Sequence, residues 1–157
     1  MAINFTPKPS QILRCNFGLF LNENGDAVTF SDAGAPIDKR NFNGRIPPEM
    51  IKQRFVVILN GKLGNSSLVV PISTAKDLGS INQGYHVPFP HTPLEHSVHE
   101  EVERWAKGNL IQMVSNDRLF GIKDKNGAFI QCFAARELVT EIQTAVIKAI
   151  NAKSLLK

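Results

Sequence analysis

Residues 54–73 read RFVVILN-GKLGNS-SLVVPIS, two short apolar runs rich in Val and Ile on either side of a glycine-bearing connection. Runs of this length and β-branched content suit buried strands better than helices, and the connection is of hairpin length. The pair constrains the rest of the fold more than any other feature. In an antiparallel hairpin the start of the first strand lies beside the end of the second. Arg54 is therefore expected next to Ser73 and Thr74, at one rim of a sheet. Pro71 offers no N–H and implies an edge position or a bulge.

The other segments fit the same picture. QILRCNFGLFL (11–21) has strand composition, and GYHVPF (84–89) and RWAKGNLIQMV (104–114) read as further strands. FGIKDKNGAFIQ (120–131) reads as a hairpin, because Asn-Gly suits the tight turns that join antiparallel strands. Residues 22–48 are rich in Gly, Asn, Asp and Pro and are expected to form a long loop. After residue 134 the period changes. Leu138, Ile142, Ala145, Val146, Ala149 and Ile150 line one face of a helix over about 134–151. Glu137 and Glu141 near its start and Lys148 and Lys153 near its end suit the helix dipole. With 157 residues, 43% of them hydrophobic, the chain is expected to be one domain, 1–157, with a proper core. The expected class is mainly β with a C-terminal helix (α+β), a small twisted barrel or half-barrel.

The chemistry on offer is sparse. Phosphate-loop, dinucleotide, HExxH and CxxC signatures are missing. Cys15 and Cys132 stand far apart and suit buried thiols in a reducing cytosol. MAINFTPKPS does not read as a signal peptide, and no apolar run approaches the ~18 residues of a membrane span. A cytoplasmic protein is expected. His86, His91, His96 and His99 invite a metal reading, but their proline-interrupted setting, HVPFPHTPLEHSVHEE, favours a solvated loop. A histidine acting as general base stays open. Trp105 between Arg104 and Lys107 could stack on a base, although a lone Trp in a strand more often serves core or interface. At the rim, a guanidinium (Arg54), hydroxyls (Ser73, Thr74) and a carboxylate (Glu49) converge. Such a set can take a proton from a ribose 2′-OH and stabilise charge on a phosphate. The plainer reading is that the hydroxyls make a turn and Glu49 a rim salt bridge.

The order RCNFG (14–18), PPEMIKQRFVVIL (47–59), LVVPIST (68–74), YHV (85–87), WAKGN (105–109) and VSNDRL (114–119) resembles the PemK/MazF family of toxins from toxin–antitoxin systems. The likeness runs over about residues 11–150. It implies an SH3-like small barrel of the MazF/CcdB type that dimerises and cuts single-stranded RNA without metal or cofactor. The 2′-OH attacks its own phosphate, leaving a 2′,3′-cyclic phosphate and a 5′-OH. By the resemblance, Arg54 stabilises the phosphorane-like charge, Ser73 and Thr74 supply the hydroxyl, and Glu49 is a base or an organiser. Lys52, Gln53, Lys107 and Asn109 are implied to contact RNA. A cognate antitoxin, acidic and partly disordered, is the implied protein partner. The net charge of +4 is consistent with both. Two departures stand out: Phe55 where the family has Pro, and Asn109 where it has an acid, since an amide cannot transfer a proton. A non-catalytic toxin on the same fold, acting through protein contact such as with DNA gyrase, is the alternative.

Overall fold

The computed structural model describes residues 1–21, 24–26, 45 and 48–156. Most of the loop expected at 22–48 lies outside them. The two apolar runs form β2 (Gln53–Asn60) and β3 (Ser66–Ser73), paired antiparallel with Val57 opposite Val70 and Phe55 opposite Ile72. β1 (Gln11–Asn16) pairs with the far side of β2, placing Cys15 opposite Arg54. These three strands are the centre of the molecule. β2 is buried on both faces, which is why VVIL reads as an unbroken apolar run. Phe55 and Val57 enter one core and Val56 and Ile58 another.

The two outer strands of this trio each serve two partners. β3 pairs through Ser66–Val69 with β6 (Gln112–Ser115) and through Ile72–Ser73 with β5 (Arg104–Lys107). β1 pairs through Gln11–Ile12 with β10 (Cys132–Phe133) and through Arg14–Cys15 with β7 (Leu119–Phe120). β4 (His86–Phe89) completes the order β10-β1-β2-β3-β5-β4. The class is as expected, mostly antiparallel β with a C-terminal helix. The barrel does not close, because among the described residues no ladder joins β10 to β4.

The partner switch explains Pro71. It lies neither at an edge nor in the bulge, which falls between Ile58 and Asn60. It faces Val56 on β2, and on its other side it sits between the residues held by β6 and those held by β5. Its missing N–H falls where no ladder requires one. The same switch breaks the strand expected over 104–114. Gly108–Leu110 form a helical turn between β5 and β6. The 11–21 strand is also shorter than expected, ending where the Asn16 side chain accepts from Gly18 N at 3.0 Å and Gly18 takes φ +87°. The 120–131 hairpin forms as β8 (Ile122–Lys123) and β9 (Phe129–Ile130).

Helix α1 (Leu78–Asn82) buries none of its residues and was not legible; Asp77 caps it by accepting from Ser80 N at 3.2 Å. Helix α2 (Arg136–Ala149) lays Leu138, Ile142 and Ala145 on the core that holds Phe55, Ile72 and Ala106. Gly108 is where this helix meets the β5–β6 turn. A Cβ there would sit 3.0 Å from Ala145 Cβ, Tyr85 O and Val146 N. Two of these neighbours are backbone and cannot swing aside. Gly108→Ala is expected to lower stability by about 1–3 kcal/mol through overpacking, read as a drop in the urea midpoint with an unchanged slope. An unchanged midpoint would show that the helix yields freely here.

Candidate active site

The β2–β3 register brings the rim residues together. The ladder ends at the Phe55–Ile72 pair, and the next residues on the two strands are Arg54 and Ser73. Both line a cleft of about 150 Å³ with Gln53, Thr74, Phe55, Ile72, Arg14, Arg104 and His99. Pockets that enclose a drug-sized ligand run to roughly 300–1,000 Å³. A cleft this small suits one group of a larger molecule.

Arg54 Nε donates to the Ile51 carbonyl at 3.2 Å, and its terminal nitrogens make no hydrogen bond with the described residues. One edge of the guanidinium is anchored while the fork stays available. Ser73 is 5% exposed, and its Oγ accepts from Ala75 N at 3.2 Å. The hydroxyl therefore makes the turn, as the plainer reading expected, and its own proton remains to donate. Thr74 is exposed beside it.

Phe55 is the platform of the cleft. Arg104 lies over its ring at 5.5 Å and His99 meets it edge-on, centroids 4.6 Å apart at 88°. Arg104 is 8% exposed and donates to the carbonyls of Val102 (3.3 Å) and Glu100 (3.0 Å). Arg14 pairs across β1–β2 with Phe55. Three guanidiniums thus surround the cleft, and the lining holds no carboxylate among the described residues. His99 is pushed below its ordinary 6.5 by burial, reinforced by Arg14 and Arg104. Its ring is neutral at physiological pH.

The remaining expected residues stand outside this lining. Glu49 is exposed and pairs with Arg45 at 4.0 Å, a contact worth about 0–1 kcal/mol. Lys52 is exposed with φ +66°, and its backbone bonds to Gly18 and Phe17 fix the approach to β2. Lys107 and Asn109 belong to a neighbouring cluster. Lys107 is 7% exposed on β5 opposite His86. Burial lowers its pKa, with Asp77 opposing and Arg54 adding to the shift. His86 Nε2 donates to Asn109 Oδ1 at 2.8 Å, and its buried Nδ1 has no hydrogen-bond partner among the described residues. Asn109 acts here as a hydrogen-bond acceptor for a buried ring.

The histidines do not converge. His86 is in this cluster, His91 is elsewhere, its Nδ1 without a hydrogen-bond partner among the described residues, His96 is exposed beside Glu95 at 3.3 Å, and His99 is in the cleft. Among the described residues no three His, Cys, Asp or Glu side chains could share a metal ion. Trp105, buried on β5 opposite Ser73, has Lys76 Nζ over its ring at 5.4 Å. It lines an adjoining groove with Pro88, Phe89 and Pro90, which shares Arg104 with the cleft. Burial pushes the Cys15 thiol up to about 12 and raises Cys132 as well, so neither is a nucleophile at neutral pH. Arg14, Arg104 and Phe55 were not read as site residues. The available signal was a charge inside an apolar strand, LRC and ERW.

Residues 39–150 match the family model of the PemK-like, MazF-like toxin of type II toxin–antitoxin systems. The chain is 44% identical over 159 residues to YifN of Escherichia coli, covering 99% of each. It is 40% identical over 151 residues to a protein of Haemophilus influenzae, covering 96% of this chain and 94% of that one. Neither relative carries an activity in its name. The fold also has a loose likeness to an endoribonuclease in complex with its cognate antitoxin from Mycobacterial species (TM-score 0.47, 12% identity, 95% and 96% of the two chains). A second such likeness is to the Mycobacterium tuberculosis toxin MazF-mt6 (TM-score 0.45, 17% identity, 66% and 91%). The chain belongs to the PemK-like, MazF-like toxin family of type II toxin–antitoxin systems.

Two histidines with depressed pKa values set a pH dependence. Both His86 and His99 fall below 6.5, burial being the first cause in each. Below about pH 6.5 the unfolded chain takes up protons at these positions before the folded chain does. Their contribution to stability is complete above pH 6.5 and declines as pH falls through the folded values. The urea midpoint is expected to drop between about pH 7.5 and about pH 5.5, where histidines dominate titration. Asn109→Ala should lower the NMR-measured pKa of His86 further, since the Asn109 hydrogen bond raises it. A pKa that rises or stays put would show that the bond does not form.

Proposed function

We propose that this toxin is a metal-independent, sequence-specific endoribonuclease acting on single-stranded RNA in the cytoplasm. The observation that carries the reading is the cleft itself. A guanidinium with a free fork, a buried and an exposed hydroxyl, and two further arginines meet where β2 begins and β3 ends. That set recognises a phosphodiester. Arginine forks match phosphate oxygens, and the Ser73 and Thr74 hydroxyls can donate to the remaining one. Attack of the ribose 2′-OH on the adjacent phosphorus then gains charge stabilisation from Arg54. The products are a 2′,3′-cyclic phosphate and a 5′-OH end. Gln53 at the lip and Lys52 beyond it lie along a path for the flanking strand. Glu49 organises the approach to β2, and the exposed Asn109 flanks the strand beyond β5, with Lys107 buried behind it opposite His86. The active species is a homodimer restrained by a cognate antitoxin.

The test is to incubate purified protein with a long single-stranded RNA in EDTA and map 5′-OH ends. Discrete cuts are expected. Arg54→Ala should slow them by about 100-fold or more, the scale of losing a charge-stabilising donor, with its urea midpoint unchanged. Intact RNA from folded, antitoxin-free protein would overturn the reading and turn the search to protein targets. RNA binding should weaken steeply as salt rises, because phosphate contacts release counterions. Salt-independent binding would count against the arginine cleft as the contact surface.

A further inference from the structure

We infer that His99 is the general base of this site, accepting the 2′-OH proton. The inference rests on the endoribonuclease reading and deepens it. The reaction needs an acceptor for one proton at the cleft, and the described lining offers a single side chain able to accept it near neutral pH. Arg14, Arg54 and Arg104 stay protonated. Gln53, Ser73 and Thr74 do not take up protons at that pH. Glu49, the carboxylate the sequence pointed to, is exposed, paired with Arg45, and absent from the lining. Asn109 cannot transfer a proton, and its oxygen is engaged by His86.

His99 is also held as a base must be. Its ring is set edge-on against Phe55, its backbone N–H donates to Ser97 Oγ at 3.3 Å, and Ser97 Oγ–H donates to the Leu94 carbonyl at 2.7 Å. The charged groups around it are Arg14 from β1, Arg54 from β2 and Arg104 from β5. Arg14 and Arg104 both disfavour a protonated imidazole at rest. Once the RNA phosphate is bound, its negative charge offsets the arginines, and an imidazolium forms more readily in the transition state. In the step itself the 2′-oxygen forms its bond to phosphorus as its proton passes to the imidazole. The bond from phosphorus to the 5′-oxygen breaks, and that oxygen takes a proton from water. The imidazolium then returns its proton to solvent. Phe55, where the family has proline, acts as the positioning residue for the ring.

The experiment uses the full chain and a long single-stranded RNA that the wild type cuts at discrete sites. Cleavage is expected to rise with pH along a limb that matches the His99 pKa measured by NMR on the free protein, and to be flat by neutrality. His99→Gln should cut about 100-fold more slowly or worse, the scale of general-base loss, bind the RNA as before, and lose the limb. In case glutamine disturbs the cleft, His99→Ala supplies a second reading, since added imidazole should restore cutting to it and not to Arg54→Ala. If the wild type cuts and both variants keep its rate and pH profile, the base lies elsewhere while the endoribonuclease reading stands. A wild type that leaves the RNA intact overturns both.

Discussion

The pairing of β2 with β3 is the constraint on which the rest depends. Its register decides that Arg54 meets Ser73 and that Phe55 meets Ile72. A shift of one residue would exchange the two faces of β2. Val56 and Ile58 would enter the helix-covered core, Phe55 would leave it, and the Phe55 platform would vanish together with the Arg54–Ser73 meeting. The site is therefore protected by the same burial that holds the sheet. Fully burying an aliphatic side chain is worth about 1.5–3 kcal/mol, and β2 buries four apolar side chains, Phe55 to Ile58.

The cleft works against that stability. Arg14, Arg54 and Arg104 crowd one rim, and no described carboxylate in the lining offsets them. Such a cluster stands because Arg104 is tied to two carbonyls and Arg54 to one. Backbone oxygens take part of the charge that a carboxylate would otherwise neutralise. The arrangement favours anions: a negative charge placed among the three guanidiniums relieves their mutual repulsion. It also makes histidine the suitable acceptor, since a carboxylate among three arginines would be too weakly basic to take a proton near neutrality.

Much of this was legible because it depends on patterns that survive in one dimension. Two Val/Ile runs with a short glycine connection fix a hairpin, and the hairpin fixes Arg54 beside Ser73 and Thr74. The apolar period of Leu138, Ile142 and Ala145 fixes the helix. What was not legible depends on where loops return. Nothing in HSVHEE says that His99 comes back to Phe55, while His96, three residues earlier, points to solvent beside Glu95. Glu49 shows how little chain proximity alone decides. Proximity along the chain to Arg54 suggested a shared site, and the structure places its carboxylate 4.0 Å from Arg45 and outside the cleft lining. The reading of Pro71 as an edge or bulge residue was right about the missing N–H and wrong about its place, since a strand can change neighbours in mid-course.

That change of neighbours leaves its mark on the two ends of the sheet. Because β3 and β1 each divide their outer sides between two short partners, the described strands at the margins are short: four residues in β4, with Pro88 among them, and two in β10. A long, flat margin would offer a foreign chain a row of unpaired N–H and C=O groups to zip against. Here the row is cut into pieces too brief to template one. A second copy of the chain finds little edge there to pair with, so this way of ending the sheet guards against strand-to-strand clumping.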